Sequence, residues 1–378
     1  MIFIIVFALI IGSQALFSHS FFSSGIMAVQ ILGAFQLLFF AVSVFIMMRY
    51  FRKRNTKDYR FAFYAMGAMI ASGVPALAYL LPGIGFVITK IEWLNTLGWS
   101  LSAWLFLSIL FGIFYGRWNW KVHKVNLAFA HLPEDQHEVK IVQISDVHVG
   151  SFFNNHKKVE KAIEKINSLN PDYVVFTGDL VNNAADEMHG WEPIFSKIKA
   201  KKGKFSILGN HDYGDYVKWE TETEKQQNLN ELISIHKKIG FTPLLNEAVE
   251  LGEGFWMLGV ENWGKAPFRQ SGELHKTLEN VPSDAFKLLL SHDPSHFDLQ
   301  VLDTDVDLTL SGHTHGMQFG IERFGIKLSP VSLRYKKWAG LYQVGKQYLY
   351  VNRGFGYLGF PGRVGIYPEI TEITLRKK

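Results

Sequence analysis

Cysteine is missing from all 378 residues, which excludes disulfides, thiolate metal sites and a cysteine nucleophile and leaves oxygen and imidazole donors for any metal. Charge is missing in a patterned way. No Asp, Glu, Lys or Arg occurs from Met1 to Met48, from Phe61 to Thr89 or from Trp93 to Gly116, whereas the chain after Arg117 is charged throughout. Internal repeats and low-complexity segments are also lacking. Hydrophobic residues make up 48% and aromatic residues 15%, so part of the chain faces a solvent other than water. Much of the net charge of +5 lies in short segments beside the apolar runs. Membrane topology accounts for it there, and no nucleic-acid partner is expected.

The first uncharged stretch is broken by polar and small residues at Ser18 to Gly25 and reads as two helices joined by a tight turn. The next contains Pro75 and Pro82, and the last is bounded by Glu92 and Arg117. Each resulting run can cross a bilayer core of about 30 Å, which takes roughly 20 apolar residues. Four in succession argue for an anchor rather than buried helices of a soluble protein, and the lack of ionisable residues inside them argues against a channel or transporter. Arg49, Arg52, Lys53, Arg54, Lys57 and Arg60 separate the second and third runs, and Arg117, Lys121 and Lys124 follow the fourth. Both basic segments are expected on the cytoplasmic side, which puts the C-terminal region in the cytosol at the inner (plasma) membrane. A cleaved signal peptide in the first run, allowed by Ser13 and Ala15 but opposed by the absence of a basic start, would leave three spans with the same placement. The expected division is a four-helix membrane anchor over 1–116, a linker over 117–138 and a catalytic domain over 139–378.

From Val139 onward, short β-branched apolar runs alternate with helical stretches, an α/β pattern. Strands are expected at Val139 to Ser145, Asp172 to Thr177, Lys204 to Leu208, Phe255 to Val260, Phe286 to Leu290 and Val306 to Leu310, then at Leu341 to Asn352 and Val364 to Leu375. Asn155 to Leu169, with Val159, Ile163 and Ile166 at helical spacing, suits a crossover helix, and Asn228 to Ile239 reads as another.

Five of these strands run straight into a metal-ligand residue type: Ile144-Ser145 into Asp146-Val147-His148, Phe176-Thr177 into Gly178-Asp179, Ile207-Leu208 into Gly209-Asn210-His211-Asp212, Leu290-Ser291 into His292, and Leu310-Ser311 into Gly312-His313-Thr314-His315. Singly, each has an ordinary reading as a turn, a left-handed Asn or a core histidine. Together they share one address, because ligands bind just beyond the carboxyl ends of strands in open α/β sheets. His236, His275 and His296 lie outside these motifs and are expected to be ordinary.

In their order, Asp-x-His, Gly-Asp, Gly-Asn-His, His and Gly-His-x-His resemble the calcineurin-like metallophosphoesterase superfamily over about residues 139 to 375. Gly-His-Thr-His-Gly followed by Gln318, and the late Val351-Asn352-Arg353-Gly354, are similar to its membrane-associated bacterial branch of the YkuE and YaeI type, with Met317 standing where that branch usually has a second glycine. The resemblance implies a two-sheet α/β sandwich and two divalent metal ions per chain. Asp146, His148 and His315 would hold one, Asn210, His292 and His313 the other, and Asp179 would bridge them. A carboxylate bridge offsets repulsion between cations about 3.5–4 Å apart, and the mixed donors suit manganese, iron or zinc better than calcium. The implied reaction is in-line attack on phosphorus by a metal-bridging hydroxide, with His211 as the general acid and Asp212 or another carboxylate orienting it. Arg353, after a strand and before Gly354, is a candidate to bind a substrate phosphate. The run Phe355 to Phe360 reads as packed core in preference to the rim of a lipid groove.

A domain held at the bilayer meets lipid head groups and lipid-linked nucleotides at high effective concentration. The expected substrate is therefore a lipid phosphodiester or pyrophosphate, with a UDP-diacylglucosamine pyrophosphate among the candidates the resemblance suggests. The alternative enzyme reading is a phosphatase or phosphodiesterase acting on a soluble nucleotide or phosphoprotein. A catalytically silent ligand-binding module is opposed by the complete ligand set.

Overall fold

A computed structural model describes residues 2–52 and 59–378. Met1 and, from the basic segment, Lys53, Arg54 and Lys57 lie outside the described residues. The chain divides into two compact units, Met1–Arg117 with Gly359–Val364, and Trp118–Leu358 with Gly365–Lys378.

The first unit is built on α1 (Ile2–Phe22), α2 (Met27–Arg52), α3 (Arg60–Thr89) and α4 (Glu92–Phe114). Met27–Tyr50, Arg60–Thr89 and Glu92–Trp118 are each long and apolar enough to cross a membrane, while Leu9–Phe22 forms a shorter apolar helix. Among the described residues, three of the four expected runs thus have the length and composition of a span. The unit is inside out relative to a soluble bundle. Leu32, Phe35, Leu38, Phe45 and Leu107 face outward, whereas Ala62, Ala65, Gly67, Ala76, Gly98 and Gly112 are buried, the small-residue contact that lets helices approach when lipid is the solvent. Polar side chains bond inward, with Gln14 Nε2 donating to Ser72 O at 3.2 Å and Tyr79 Oη to Asn95 Oδ1 at 2.7 Å. Gly359–Val364 belongs to this unit because Arg363 N donates to Gly112 O at 3.1 Å. A Cβ on Gly112 would strike Val364 and the Arg363 carbonyl.

In the second unit the strands follow in the order β1 (Lys121–Phe129), β2 (Val139–Ile144), β3 (Tyr173–Thr177), β4 (Gly203–Ile207), β5 (Thr242–Pro243), β6 (Glu247–Gly252), β7 (Phe255–Gly259), β8 (Phe286–Leu290) and β9 (Leu308–Ser311). A two-stranded hairpin, β10 (Ile321–Arg323) with β11 (Ile326–Leu328), precedes β12 (Gly340–Val344), β13 (Gln347–Val351) and β14 (Glu369–Lys377). One six-stranded sheet runs β1-β14-β2-β3-β4-β5 and the other β12-β13-β9-β8-β7-β6. Between them lies one core containing Ile141, Val175, Ile207, Met257, Leu288, Leu310 and Ile373. The period of two is explicit in β8, where Leu288 and Leu290 enter this core and Leu289 a second cluster with Phe297 and Val301. Helix α5 (His156–Ser168) makes the crossover between parallel β2 and β3, burying Val159, Ile163 and Ile166.

The expected linker contains β1, which pairs parallel with β14. Its Val125, Leu127 and Phe129 alternate with the exposed Lys124 and Asn126, as in an edge strand with one wet face, and Leu127 and Phe129 reach the core. Leu341 to Asn352 likewise resolves into the β12–β13 hairpin.

Candidate metal centre

β2, β3 and β4 run parallel in one sheet and β8 and β9 in the other, so the loops after all five converge. Inter-loop bonds lock them, Asp146 N to Gly178 O at 2.9 Å, His148 N to Asp179 O at 3.1 Å and Gly312 N to His292 O at 2.9 Å. The motif glycines follow from crowding, since a Cβ on Gly209 would collide with the Asp179 carboxylate and one on Gly312 with that of Asp146. Asp146, His148, Asp179, His313 and His315 all have positive φ, from 46° to 72°. Left-handed backbone costs a non-glycine residue about 1–3 kcal/mol, so the packed sandwich holds five of the seven ligand candidates against their own preference. Met317 also has positive φ, 51°, which accounts physically for a glycine being at home there.

Two clusters result, Asp146 with His148 and His315, and Asp179 with His292 and His313, each able to hold a metal ion. In the first, His315 Nε2 is 3.1 Å from His148 Nε2 and 3.3 Å from Asp146 Oδ1. In the second, His313 Nδ1 is 3.3 Å from His292 Nε2, and Asn210 Oδ1 joins at 2.8 Å from His313 Nδ1. Asp179 Oδ2 lies between them, 3.5 Å from His148 Nε2 and 3.2 Å from His292 Nε2. The outer ring nitrogens are tied to fixed partners: His148 Nδ1 to Val181 O at 3.2 Å, His292 Nδ1 to Thr177 O at 2.7 Å, and His313 Nε2 to Tyr335 Oη at 2.9 Å. Such outer bonds set which nitrogen faces a metal.

Burial opposes ionisation of Asp146 and Asp179, yet His315 beside the first and His292 beside the second hold both carboxyls below the usual range. Burial also opposes charge on His292, but Asp179 lifts it to about 10. Burial lowers His148 and His313. The carboxylates thus demand a cation at their centre. Protonated His292 supplies one, and a divalent metal on neutral imidazoles is the other way to supply it, so the donor set fits two metal ions.

His211 Nδ1 bonds the Asn182 carbonyl at 2.7 Å and its ring stacks on Tyr216 with centroids 4.4 Å apart. Its orienter is therefore a carbonyl, and Asp212 does something else. Asp212 Oδ2 accepts from Asp179 N and Gly209 N and Oδ1 from Leu180 N, all at 2.8 Å, with Val181 N at 3.3 Å. It clips the β3 and β4 loops together. Burial and the Asp179 charge push its carboxyl up to about 7.

Arg353, expected at a substrate phosphate, is buried, and its fork is taken up by Glu369 and Glu322, each at 2.5 Å. Phe355 and Tyr357 are core residues packed against Trp120 and Phe152. Sequence reasoning missed Tyr335, Asp293 and Asn182. Asp293, adjacent to His292 and 3.1 Å from Tyr335 Oη, was within reach of a local search, whereas Tyr335 and Asn182 carry no motif.

The family model for calcineurin-like phosphoesterases matches residues 139–317. Uncharacterized metallophosphoesterase YkuE of Bacillus subtilis is 33% identical over 255 residues, which cover 65% of this chain and 82% of that protein. A transmembrane protein with metallophosphoesterase domain from Danio rerio is 29% identical over 266 residues, covering 68% of this chain but 57% of the relative. Uncharacterized metallophosphoesterase Cj0846 of Campylobacter jejuni is 30% identical over 261 residues, covering 68% and 64%.

Proposed function

The chain belongs to the calcineurin-like metallophosphoesterases, and from that premise we propose that its C-terminal unit hydrolyses a phosphodiester or pyrophosphate of a membrane lipid or lipid-linked nucleotide. In this reading the helical unit is a multi-pass anchor in the plasma membrane with the catalytic unit on the cytoplasmic side. Two divalent ions, of manganese, iron or zinc, are held by Asp146, His148 and His315 and by Asn210, His292 and His313, with Asp179 shared.

The position of Asp179 Oδ2, within 3.5 Å of an imidazole nitrogen from each cluster, carries the reading. When bound, the two cations supply charge neutralisation at the phosphoryl oxygens and an activated water. The chain supplies the rest. Asp146, buried and held ionised, accepts from His313 N at 2.9 and 3.0 Å, so its free lone pairs are directed. His211, with Nδ1 committed to Asn182 O, presents Nε2 to protonate the leaving oxygen. Tyr335 and Asp293 fix the His313 ring from behind.

Three candidate spans support a membrane substrate, because anchoring raises the effective concentration of lipids above that of soluble esters. The test is to purify the chain in detergent with manganese and compare release from an aryl phosphodiester, an aryl phosphomonoester and a lipid-linked UDP sugar. Fastest turnover of the lipid-linked substrate is expected. Faster turnover of a soluble ester would refute the substrate class, and two bound metals without turnover of any substrate would favour a silent binding module.

A further inference from the structure

Segment 317–336 leaves the metal centre two residues after His315 and returns to it at Tyr335, whose hydroxyl meets His313. Within it, β10 and β11 pair across the turn Phe324-Gly325, both at positive φ. Residues opposite each other share a face and neighbours alternate. Glu322 and Lys327 therefore take one face, and Ile321, Leu328, Arg323 and Ile326 the other.

The polar face is the one turned to the protein. Glu322 grips the buried Arg353 at 2.5 and 2.7 Å, and Lys327 Nζ reaches Ala339 O and, at 3.0 Å, Tyr342 Oη. The apolar face is the one turned out. Ile321, Ile326 and Leu328 are exposed, and with them Met317 at 59%, Phe324 at the tip at 89% and Leu333 at 94%. A hairpin designed for water has the reverse arrangement. The polar anchors rule out a chance rotation, since turning the apolar face inward would strand Glu322 and Arg353.

Charge identifies the occupant. Outside the anchoring Glu322 and Lys327, which the protein engages, the segment carries three cations, Arg323, Arg334 and Lys336, and no carboxylate. Apolar tips among exposed cations match the headgroup region of an anionic bilayer. The unit is covalently joined to helices long and apolar enough to cross one. We propose that the β10–β11 hairpin and Leu333 form an interfacial wedge that enters an anionic membrane surface beside the metal centre. The wedge does not depend on which ester is hydrolysed. It gives Arg353 a role as the hairpin's anchor.

Because the chain has no cysteine, a single introduced thiol can be labelled in the full-length protein. Phe324→Cys, Leu333→Cys and Lys346→Cys are each labelled with an environment-sensitive fluorophore and placed in nanodiscs of phosphatidylcholine with or without phosphatidylglycerol. Lys346 lies in the turn before β13, whose opposite end lies level with the start of the His313 loop. Labels at 324 and 333 are expected to shift to the blue and to be quenched by a lipid-borne quencher, more strongly in the anionic discs, while the label at 346 is quenched by aqueous iodide. Equal iodide quenching at all three positions would overturn the proposal. So would shielding that arises in detergent alone and grows with protein concentration, which would make a second copy the occupant.

Discussion

Replacing Asp212 by Asn tests whether the centre is held by its loops as well as by its ligands. The carboxylate accepts four buried backbone N–H groups, from Asp179, Gly209, Leu180 and Val181. An amide of the same shape keeps one acceptor oxygen and turns an NH₂ toward the other two donors. A buried donor left without a partner costs about 1–3 kcal/mol, so two cost about 2–6 kcal/mol. Part of that loss falls on the clip between the loops carrying Asp179 and Asn210, where weakened outer-shell support typically lowers metal affinity about 10–100-fold. The assay is the thermal midpoint of the metal-free, detergent-purified chain together with a manganese titration. A midpoint lowered on the order of 10 °C is expected, with weaker manganese binding and turnover at saturating manganese little changed. Unchanged midpoint and unchanged affinity would refute the clip. A large loss of turnover at full metal occupancy would return Asp212 to the orienting role first expected of it.

Four further outcomes follow from the same geometry. His211→Ala should lower turnover about 10²–10⁴-fold while metal analysis still finds two ions per chain; unchanged turnover would remove the acid role. Asp179→Ala should lose both metal and activity, read by elemental analysis after gel filtration. Arg353→Leu leaves buried Glu369 without its partner and should cost about 3–5 kcal/mol of stability, with turnover of a soluble diester unchanged per metal-loaded chain. His236, fully buried and stacked on Phe176, is lowered by burial to about 4 from 6.5. Its folded form binds fewer protons than the unfolded one, so stability is lost as pH falls from about 6.5 to 4, by about 3 kcal/mol in all. His236→Leu should flatten that part of the profile of midpoint against pH.

The candidate ligand loops were legible because a strand end is a local signal: apolar runs stop just before Asp146, Asp179, Asn210, His292 and His313, and parallel pairing does the rest. The long apolar helices were legible from missing charge. β1 was hidden by its polar residues, since Lys121, His123, Lys124 and Asn126 within nine residues look like a linker until β14 returns from the other end of the chain to pair with it. The fate of Arg353 could not be read locally either. Its partners are 31 and 16 residues away, and an arginine in a glycine-rich turn has the same local sequence whether it meets a phosphate or two carboxylates. The inverted hairpin needed register as well as pattern, because Ile-Glu-Arg and Ile-Lys-Leu do not say which face is inside.

The most direct test of a shared two-metal centre is turnover of an aryl phosphodiester measured against manganese equivalents, in the purified full-length chain and in Asp179→Asn. Activity should rise to a plateau at two ions per chain and be lost in the variant, because the carboxylate reaches both clusters. A plateau at one ion, or turnover that survives chelation, would contradict the account.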